Sequence, residues 1–174
     1  MQKTKWFDRK FPAIADNGIL PSIIERLSGT PARIEEMTSQ LDPDLLIRKP
    51  GSNWSIQEHV GHLSDLEPLW YGRLEELLTG AAELRAADLT NQKTNTANHN
   101  GRDIRMLLQL FRKQRKVLVE RLLGLQDDQL LTTALHPRLQ TPMRVIDLAY
   151  FVAEHDDHHL SAIREMITSY SESL

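Results

Sequence analysis

The segment from Val145 to Met166, VIDLAYFVAEHDDHHLSAIREM, carries the strongest structural signal in the chain. Its apolar residues recur at spacings of three and four, which is the pattern of one face of an α-helix. His155 and His159 lie within the same face, four residues apart, so a helix places both imidazoles one turn apart on its inward side. The apolar residues of this face are Leu148, Phe151, Val152, Ala162, Ile163 and Met166.

Two inward-facing histidines on one helix have two interpretations. In the first, each is an ordinary core residue whose ring nitrogens bond to nearby carbonyl or hydroxyl groups. In the second, the pair shares a divalent transition metal such as zinc, nickel or iron, which satisfies one nitrogen of each ring. Because zinc needs three or four ligands, the second interpretation requires another ligand from a different helix.

The composition is that of an ordinary globular protein and excludes several function classes. The 174 residues suffice for one domain with a substantial core. A net charge of −3 gives no basic field, which argues against nucleic acid as the main partner. The absence of cysteine excludes disulfides, thiolate metal ligands and a cysteine nucleophile from this chain and is compatible with a reducing cytoplasm. No segment resembles a signal peptide or a membrane span, so we expect a cytoplasmic protein without a membrane partner.

Residues 1–18 are predicted to form an irregular arm whose aromatic side chains cap one end of the core. They also offer an apolar patch that, together with exposed helix faces, favours a homodimer as a further hypothesis. The first helical segment runs from Ile19 to Leu41. Gly29-Thr30-Pro31 interrupts it and indicates either a new helix capped by Thr30 or one helix with a kink. The aromatic residues of the arm are Trp6, Phe7 and Phe11.

A second helix is predicted from Ser55 to Gly80. Ser55 and Glu58 form an S-x-x-E capping box at its start, and Pro68 inside it predicts a kink. Residues 41–53, which precede it, are predicted as a loop with one helical turn near Asp44 to Ile47.

The remaining chain provides two further helices. The third is predicted from Asp103 to Leu125, after a long polar connection over residues 81–100. Thr141-Pro142 is expected to start the fourth, as its cap and first residue. With no strand signal, the sequence predicts an all-α four-helix bundle in a single domain of residues 1–174. The long connection between the second and third helices allows a crossover.

The second helix offers two candidates for the third ligand, His59 and His62. Ligands in helical bundles come from inward-facing side chains on neighbouring helices. His59 lies nearer the centre of the apolar face and His62 lies on its flank, so periodicity slightly prefers His59. Spacing alone leaves both open.

Two segments resemble the signatures of the DinB-like (YfiT-type) superfamily. WSIQEHVGHLSDLEPLW, residues 54–70, is similar to the first signature, in which a tryptophan-led helix start precedes a His-Leu pair. HDDHHLSAI, residues 155–163, is similar to the second, an H-x3-H motif. Both motifs in this order on predicted helices are more specific than either alone, and the likeness spans most of the chain after residue 20.

The resemblance implies a bundle with a metal held by three histidines. One comes from the second helix, eight residues after the tryptophan, and two come from the H-x3-H motif. Carried over, the ligands are His62, His155 and His159, with a divalent zinc, nickel or iron ion as cofactor. His59 then becomes a core residue or a residue behind a ligand, and His158 becomes a neighbour of the site.

Three histidines leave coordination positions open, as in catalytic metal sites. An open position can activate water for hydrolysis or ionise the thiol of a small molecule. The resemblance implies both activities, because the superfamily includes metal-dependent hydrolases and thiol-dependent S-transferases. We therefore expect a metal-dependent enzyme with a small-molecule substrate and a low-molecular-weight thiol as candidate cosubstrate. The alternatives are a non-catalytic metal-binding stress-response bundle and an interaction protein with ordinary core histidines.

Other polar residues near the predicted site also have two interpretations. Glu58 and Asp65 could orient His62 or accept a proton, although the capping box explains Glu58 and a solvated face explains Asp65. His99 and His136 could approach the open face, but lone loop histidines are mostly solvated. The acidic residues among the histidines of the fourth helix are expected to face solvent or a neighbouring helix: Glu154, Asp156 and Asp157.

Overall fold

Four long helices dominate the structure, a computed structural model that describes residues 4–172. Two short helices lie in the connections, so the predicted four-helix bundle is confirmed and the expected turn within residues 41–53 is present. The predicted single domain of residues 1–174 includes residues 1–3 and 173–174, which lie outside the described residues. The helices are α1 Leu20–Thr38, α2 Pro43–Ile47, α3 Ile56–Leu78, α4 Gln92–Thr96, α5 Ile104–Leu123 and α6 Val145–Ser171.

The order of the long helices around the bundle differs from their order along the chain. α1 packs mainly on α5 and α6, and α3 packs on the same two helices. α1 and α3 therefore lie diagonally opposite each other, as do α5 and α6, so the topology is not up-down-up-down. The long connection between the second and third helices was expected to allow a crossover, but α3 and α5 are neighbours. The diagonal connections are residues 39–55 and 124–144.

A capping box begins α3, and both α1 and α3 continue through an internal proline. The Ser55 side chain accepts the backbone N–H of Glu58, and Glu58 in return accepts the N–H of Ser55, so the predicted capping box at α3 is confirmed. α1 runs continuously through Pro31, so Thr30 does not begin a new helix. Its buried hydroxyl oxygen instead lies 2.9 Å from the carbonyl oxygen of Arg26. α3 also continues through Pro68, and the kink there stays a prediction.

A two-stranded antiparallel hairpin precedes α6, contrary to the prediction that no strand would form. Strands β1, Thr133–His136, and β2, Thr141–Arg144, pair over their whole length. Thr141-Pro142 therefore belongs to β2, and α6 begins at Val145. β1 also exchanges backbone hydrogen bonds with residues 82–84, which attaches the hairpin to the chain that leaves α3.

A buried ion cluster joins the long helices. Arg115 of α5 donates to Glu67 of α3 at 2.6 Å and also pairs with Asp156 of α6. Asp156 accepts a further hydrogen bond from Thr30 of α1 at 2.8 Å. Arg115 also donates to the carbonyl of Leu27 at 3.1 Å, which is the carbonyl that Pro31 leaves without its helical N–H partner. Asp156 thus faces neighbouring helices rather than solvent.

The N-terminal arm closes one side of the apolar core. Trp6 and Phe11 pack against the core, as predicted, whereas Phe7 is 57% exposed. Arg9 pairs with Glu154 of α6 at 2.5 Å and anchors the arm. None of the helices within residues 4–172 is long and apolar enough to cross a membrane.

Candidate metal centre

Three buried histidines from two neighbouring helices converge on one point. His62 comes from α3, and His155 and His159 come from successive turns of α6. One ring nitrogen of each lies within 4.8 Å of those of the other two, and no ring is more than 5% exposed. The structure thus brings together the three residues predicted as ligands, and ligation itself stays a prediction.

Hydrogen bonds behind His62 fix its tautomer. Nδ1 of His62 lies 3.0 Å from Oγ1 of Thr94, and that hydroxyl donates its single proton to a carboxylate oxygen of Asp65 at 3.0 Å. Since the Thr94 oxygen can only accept from His62, Nδ1 carries the imidazole proton. Nε2 of His62 therefore has its lone pair available. This arrangement matches the rule that a metal-binding histidine donates its other ring N–H to a protein group.

The rings of α6 face each other and are supported from behind by α3. Nε2 of His159 lies 3.2 Å from Nε2 of His155, and Nδ1 of His159 is hydrogen-bonded to Nδ1 of His59 at 2.8 Å. His59 thus lies behind His159, as the resemblance implied. Nδ1 of His155 is buried and has no hydrogen-bond partner within the described chain.

The electrostatic environment keeps the three rings neutral. Burial, together with the neighbouring His59, lowers the pKa of His62 to about 4. Burial and the adjacent imidazoles also hold the pKa values of His155 and His159 well below the usual 6.5. Neutral imidazole is the form that binds metal ions, and zinc, nickel and iron all accept imidazole ligands. The residues present therefore fit a divalent transition metal.

The histidine cluster opens onto a cavity of about 390 Å³. Its walls are largely aromatic: the ring of Trp54 lies 4.6 Å from that of His62, and the rings of Trp6 and Trp70 lie 5.0 and 5.5 Å from that of His155. This volume lies in the range of sites for small molecules, which are typically apolar with a few polar groups.

A model of the DinB superfamily matches residues 26–163 of the chain. The chain belongs to the DinB superfamily. Its structure is similar to that of YfiT from Bacillus subtilis, which is described as a probable metal-dependent hydrolase with an unusual four-helix bundle topology. The two structures superpose with a TM-score of 0.82 over 94% of each chain, at 20% sequence identity. No curated protein matches this chain.

Two carboxylates of this DinB superfamily member were candidates for a role beside His62. Glu58 closes the capping box and also pairs with Lys49 at 2.9 Å. Asp65 was expected on a solvated face, and this is wrong, because its side chain is only 11% exposed. It accepts hydrogen bonds from Thr94 and His99, so it orients His62 through Thr94 from the side away from the cluster.

His99 was expected to be solvated, but it is 3% exposed. Its Nε2 donates to Asp65 at 2.8 Å, and its ring lies directly over Gly61 of α3. A Cβ atom at Gly61 would come within 2.3 Å of that ring, so only glycine permits this packing. Sequence reasoning missed Thr94, and it named His99 only as a loop histidine that could approach the open face. The sequence feature that could have indicated the packing of His99 is Gly61, a glycine inside a predicted helix and next to the candidate ligand His62.

The other two histidines line the cavity beside the cluster. His158 lies outside the group of three, with its ring 5.3 Å from that of His159 and 5.6 Å from that of Trp6, in agreement with its predicted place as a neighbour. His136, at the end of β1, is 2% exposed instead of solvated, because the hairpin carries it into the bundle.

Proposed function

We propose that this protein is a metal-dependent enzyme, a hydrolase acting on a small molecule, in which His62, His155 and His159 hold a divalent transition metal. The observation that carries the proposal is the convergence of three neutral, buried imidazoles on one point that opens into an apolar cavity. A structural zinc site is normally closed by four protein ligands, whereas three ligands and an open position are typical of catalytic sites.

The surrounding residues of the chain serve to orient the ligands and to exclude water. When bound, the metal would act as a Lewis acid and activate water for attack on the substrate. Thr94 and His59 hold the rings of His62 and His159 in their orientation. The tryptophans of the cavity provide the apolar walls that strengthen electrostatic interactions with a bound substrate. Hydrolysis is also the activity named in the description of YfiT.

Metal binding is tested by measuring the metal content of the purified protein. We expect close to one equivalent of zinc, nickel or iron, which also identifies the metal, and a large loss of it in His155→Ala. His158→Ala, which removes an adjacent imidazole outside the cluster, is the matched control and should retain the metal. If the wild-type protein takes up none of the three ions, or if His155→Ala binds them as tightly, the proposal is wrong.

The reaction is tested with the metal-loaded protein on a panel of small esters and amides, with and without low-molecular-weight thiols. Turnover without thiol that is lost in His155→Ala supports hydrolysis. Turnover that occurs only with an added thiol would replace hydrolysis by thiol-dependent S-transfer. Metal uptake without any turnover would favour the non-catalytic metal-binding bundle.

The proposed cytoplasmic location and the proposed homodimer require separate tests. Only Phe7 of the arm's three aromatic residues is largely exposed, which leaves a small apolar patch for pairing. Size-exclusion chromatography with light scattering measures the oligomeric state, and cell fractionation measures the location.

A further inference from the structure

A second group of polar residues lines the same cavity as the histidine cluster: Arg73, His136 and Arg138. Apolar rings lie between the two groups. The guanidinium of Arg73 is 5.6 Å from the ring of Trp70, which is itself 5.5 Å from that of His155. A ligand with an apolar body could therefore contact both groups at once.

His136 presents an N–H to Arg73 rather than an acceptor. Its Nδ1 accepts the backbone N–H groups of Arg138 and Leu139, both at 3.2 Å. The ring is neutral, because burial and the nearby arginines lower its pKa to about 4. Its one proton is therefore on Nε2. That nitrogen lies 3.2 Å from Nη1 of Arg73, which is also only a donor. The two groups cannot bond to each other, and both require an acceptor from elsewhere.

Arg73 differs from the other fully buried arginine in having no carboxylate partner. Arg115 is paired with Glu67 and Asp156, whereas no acidic group among residues 4–172 pairs with Arg73, which is 2% exposed. Its Nε and Nη2 donate to the carbonyl of Arg85 at 3.0 and 2.9 Å. The nearby Glu76 is paired with the Arg85 side chain at 2.6 Å.

Arg138 adds a second positive charge that is not paired with any carboxylate among residues 4–172. Its Nη2 is buried and makes no hydrogen bond to any described residue, and its guanidinium lies 5.3 Å from the ring of Phe7. The carboxylate of the cavity wall, Asp88, accepts hydrogen bonds from Thr90 and Gln92. This part of the cavity thus has a net positive charge and several N–H donors without an acceptor. Burying such groups is costly unless they are paired.

We propose, on the basis of the function proposed above, that the substrate carries an anionic oxygen group, a carboxylate or a phosphate, which binds to Arg73, His136 and Arg138. Guanidinium groups bind both kinds of anion through paired N–H donors. The apolar body of the substrate would lie against Trp70 and Phe151, with its reacting group at the histidine cluster.

Intrinsic fluorescence provides a direct binding assay, because all three tryptophans of the protein line the cavity. EDTA-treated and zinc-loaded protein are each titrated with benzoate, phenyl phosphate and the uncharged benzamide. The test variant is Arg138→Gln, and Arg138→Lys retains the charge. Arg102→Gln is the matched control, because it removes an exposed guanidinium that is not among the cavity residues. Circular dichroism verifies that each variant is folded.

We expect at least one of the two anions to bind at least tenfold more tightly than benzamide. The anion that binds more tightly indicates whether the substrate group is a carboxylate or a phosphate. Arg138→Gln should abolish this preference, Arg138→Lys should restore part of it, and Arg102→Gln should leave it unchanged. In the wild-type protein, inorganic phosphate should displace phenyl phosphate but not benzamide, a result that does not depend on any variant.

Equal affinities for the anions and benzamide would overturn the proposal, as would a preference that survives in Arg138→Gln. Anion binding that requires zinc and is insensitive to Arg138→Gln would place the anion at the metal and would also overturn it. A preference in EDTA-treated protein that is sensitive to Arg138→Gln would support the anion site even if the enzyme proposal fails.

Discussion

The hydroxyl of Thr94 determines which nitrogen of His62 faces the cluster. It accepts from Nδ1 of His62 and donates to Asp65. Thr94→Val keeps the shape of the side chain and removes this link, so the ring is free to rotate and to change tautomer. We predict a loss of zinc affinity of about 10- to 100-fold, measured by competition with a chromogenic chelator.

Two control variants, one at Thr94 and one at Thr96, test whether the loss of zinc affinity depends on the Thr94 hydroxyl. Thr94→Ser retains the hydroxyl and should restore most of the affinity. Thr96→Val alters an exposed threonine of the same short helix and should have no effect on zinc binding. If Thr94→Val binds zinc like the wild-type protein, the orienting role of Thr94 is wrong.

Gly61 permits the close contact between α3 and the ring of His99. In Gly61→Ala the added Cβ would lie 2.3 Å from that ring, so the ring must move away and its hydrogen bond to Asp65 is strained. We predict a loss of about 1–3 kcal/mol in the free energy of unfolding, measured by urea denaturation. Gly29→Ala is the matched helical control, because its Cβ would meet only Arg33 at 3.9 Å and should stabilise α1 by about 0.5–1 kcal/mol. Equal effects at both glycines would contradict this account.

The site residues differ in how far the sequence could specify them. His155 and His159 could be predicted from the sequence because a helix imposes a regular spacing. His62 was chosen over His59 only through the family resemblance. His99 and His136 lie in connections, where no periodicity indicates which side chains turn inward. Their burial depends on tertiary contacts, namely the space above Gly61 and the pairing of β1 with the chain after α3.

At the level of elements, Arg115 of α5 joins the two helices that carry the predicted ligands. It bonds to Glu67 of α3 and Asp156 of α6. Arg115→Met leaves both carboxylates buried without a cation, and breaking such a cluster from one side costs about 3–5 kcal/mol. We predict a loss of this size in the free energy of unfolding, measured by urea denaturation.

The control for this variant lies on the same helix. Arg112→Met removes an exposed arginine that pairs with Glu35 on the surface, and surface pairs contribute about 0–1 kcal/mol. A loss of similar size in both variants would show that the buried cluster has no special role.

The long helices were predictable because each has a continuous apolar face, whereas the hairpin was not. Its strands have only four residues each, too few for an alternating pattern to be distinguished from a loop. Thr141-Pro142 fits the start of a helix as well as the edge of a short strand. In α1, the choice between two helices and one depended on Arg115, which satisfies the Leu27 carbonyl that Pro31 leaves free.

For the whole molecule, buried neutral histidines predict a loss of stability in mild acid. The pKa values of His62 and His136 are lowered to about 4, and those of His155 and His159 lie well below 6.5. As pH falls below about 6.5, the unfolded chain takes up protons that the folded protein excludes, so the free energy of unfolding decreases. We predict a decrease between pH 7.5 and 5.5 of about 1 kcal/mol per buried histidine in metal-free protein.

Urea denaturation across this pH range measures the effect, and His136→Gln isolates the share of one ring. The variant should show a smaller decrease in the free energy of unfolding than the wild-type protein. Comparing the two cancels the contribution of shared groups such as Glu67, whose raised pKa favours the folded state as pH falls. An excess of zinc should raise the free energy of unfolding at every pH in this range, since the three predicted ligand rings stay neutral in the folded protein and neutral imidazole is the form that binds metal. A free energy of unfolding that is independent of pH between 7.5 and 5.5 would contradict the prediction.

The N-terminal arm has a practical consequence for anyone who purifies this protein. Trp6 forms part of the cavity wall and packs against His155, so a fusion partner or affinity tag placed directly before it would stand close to the cavity. Histidine tags would in addition supply competing imidazoles next to the site whose metal is to be counted. Tyr170, by contrast, packs in a separate hydrophobic cluster around Ile34 and Phe111. A cleavable tag at the C-terminus is therefore the safer design for metal and ligand measurements.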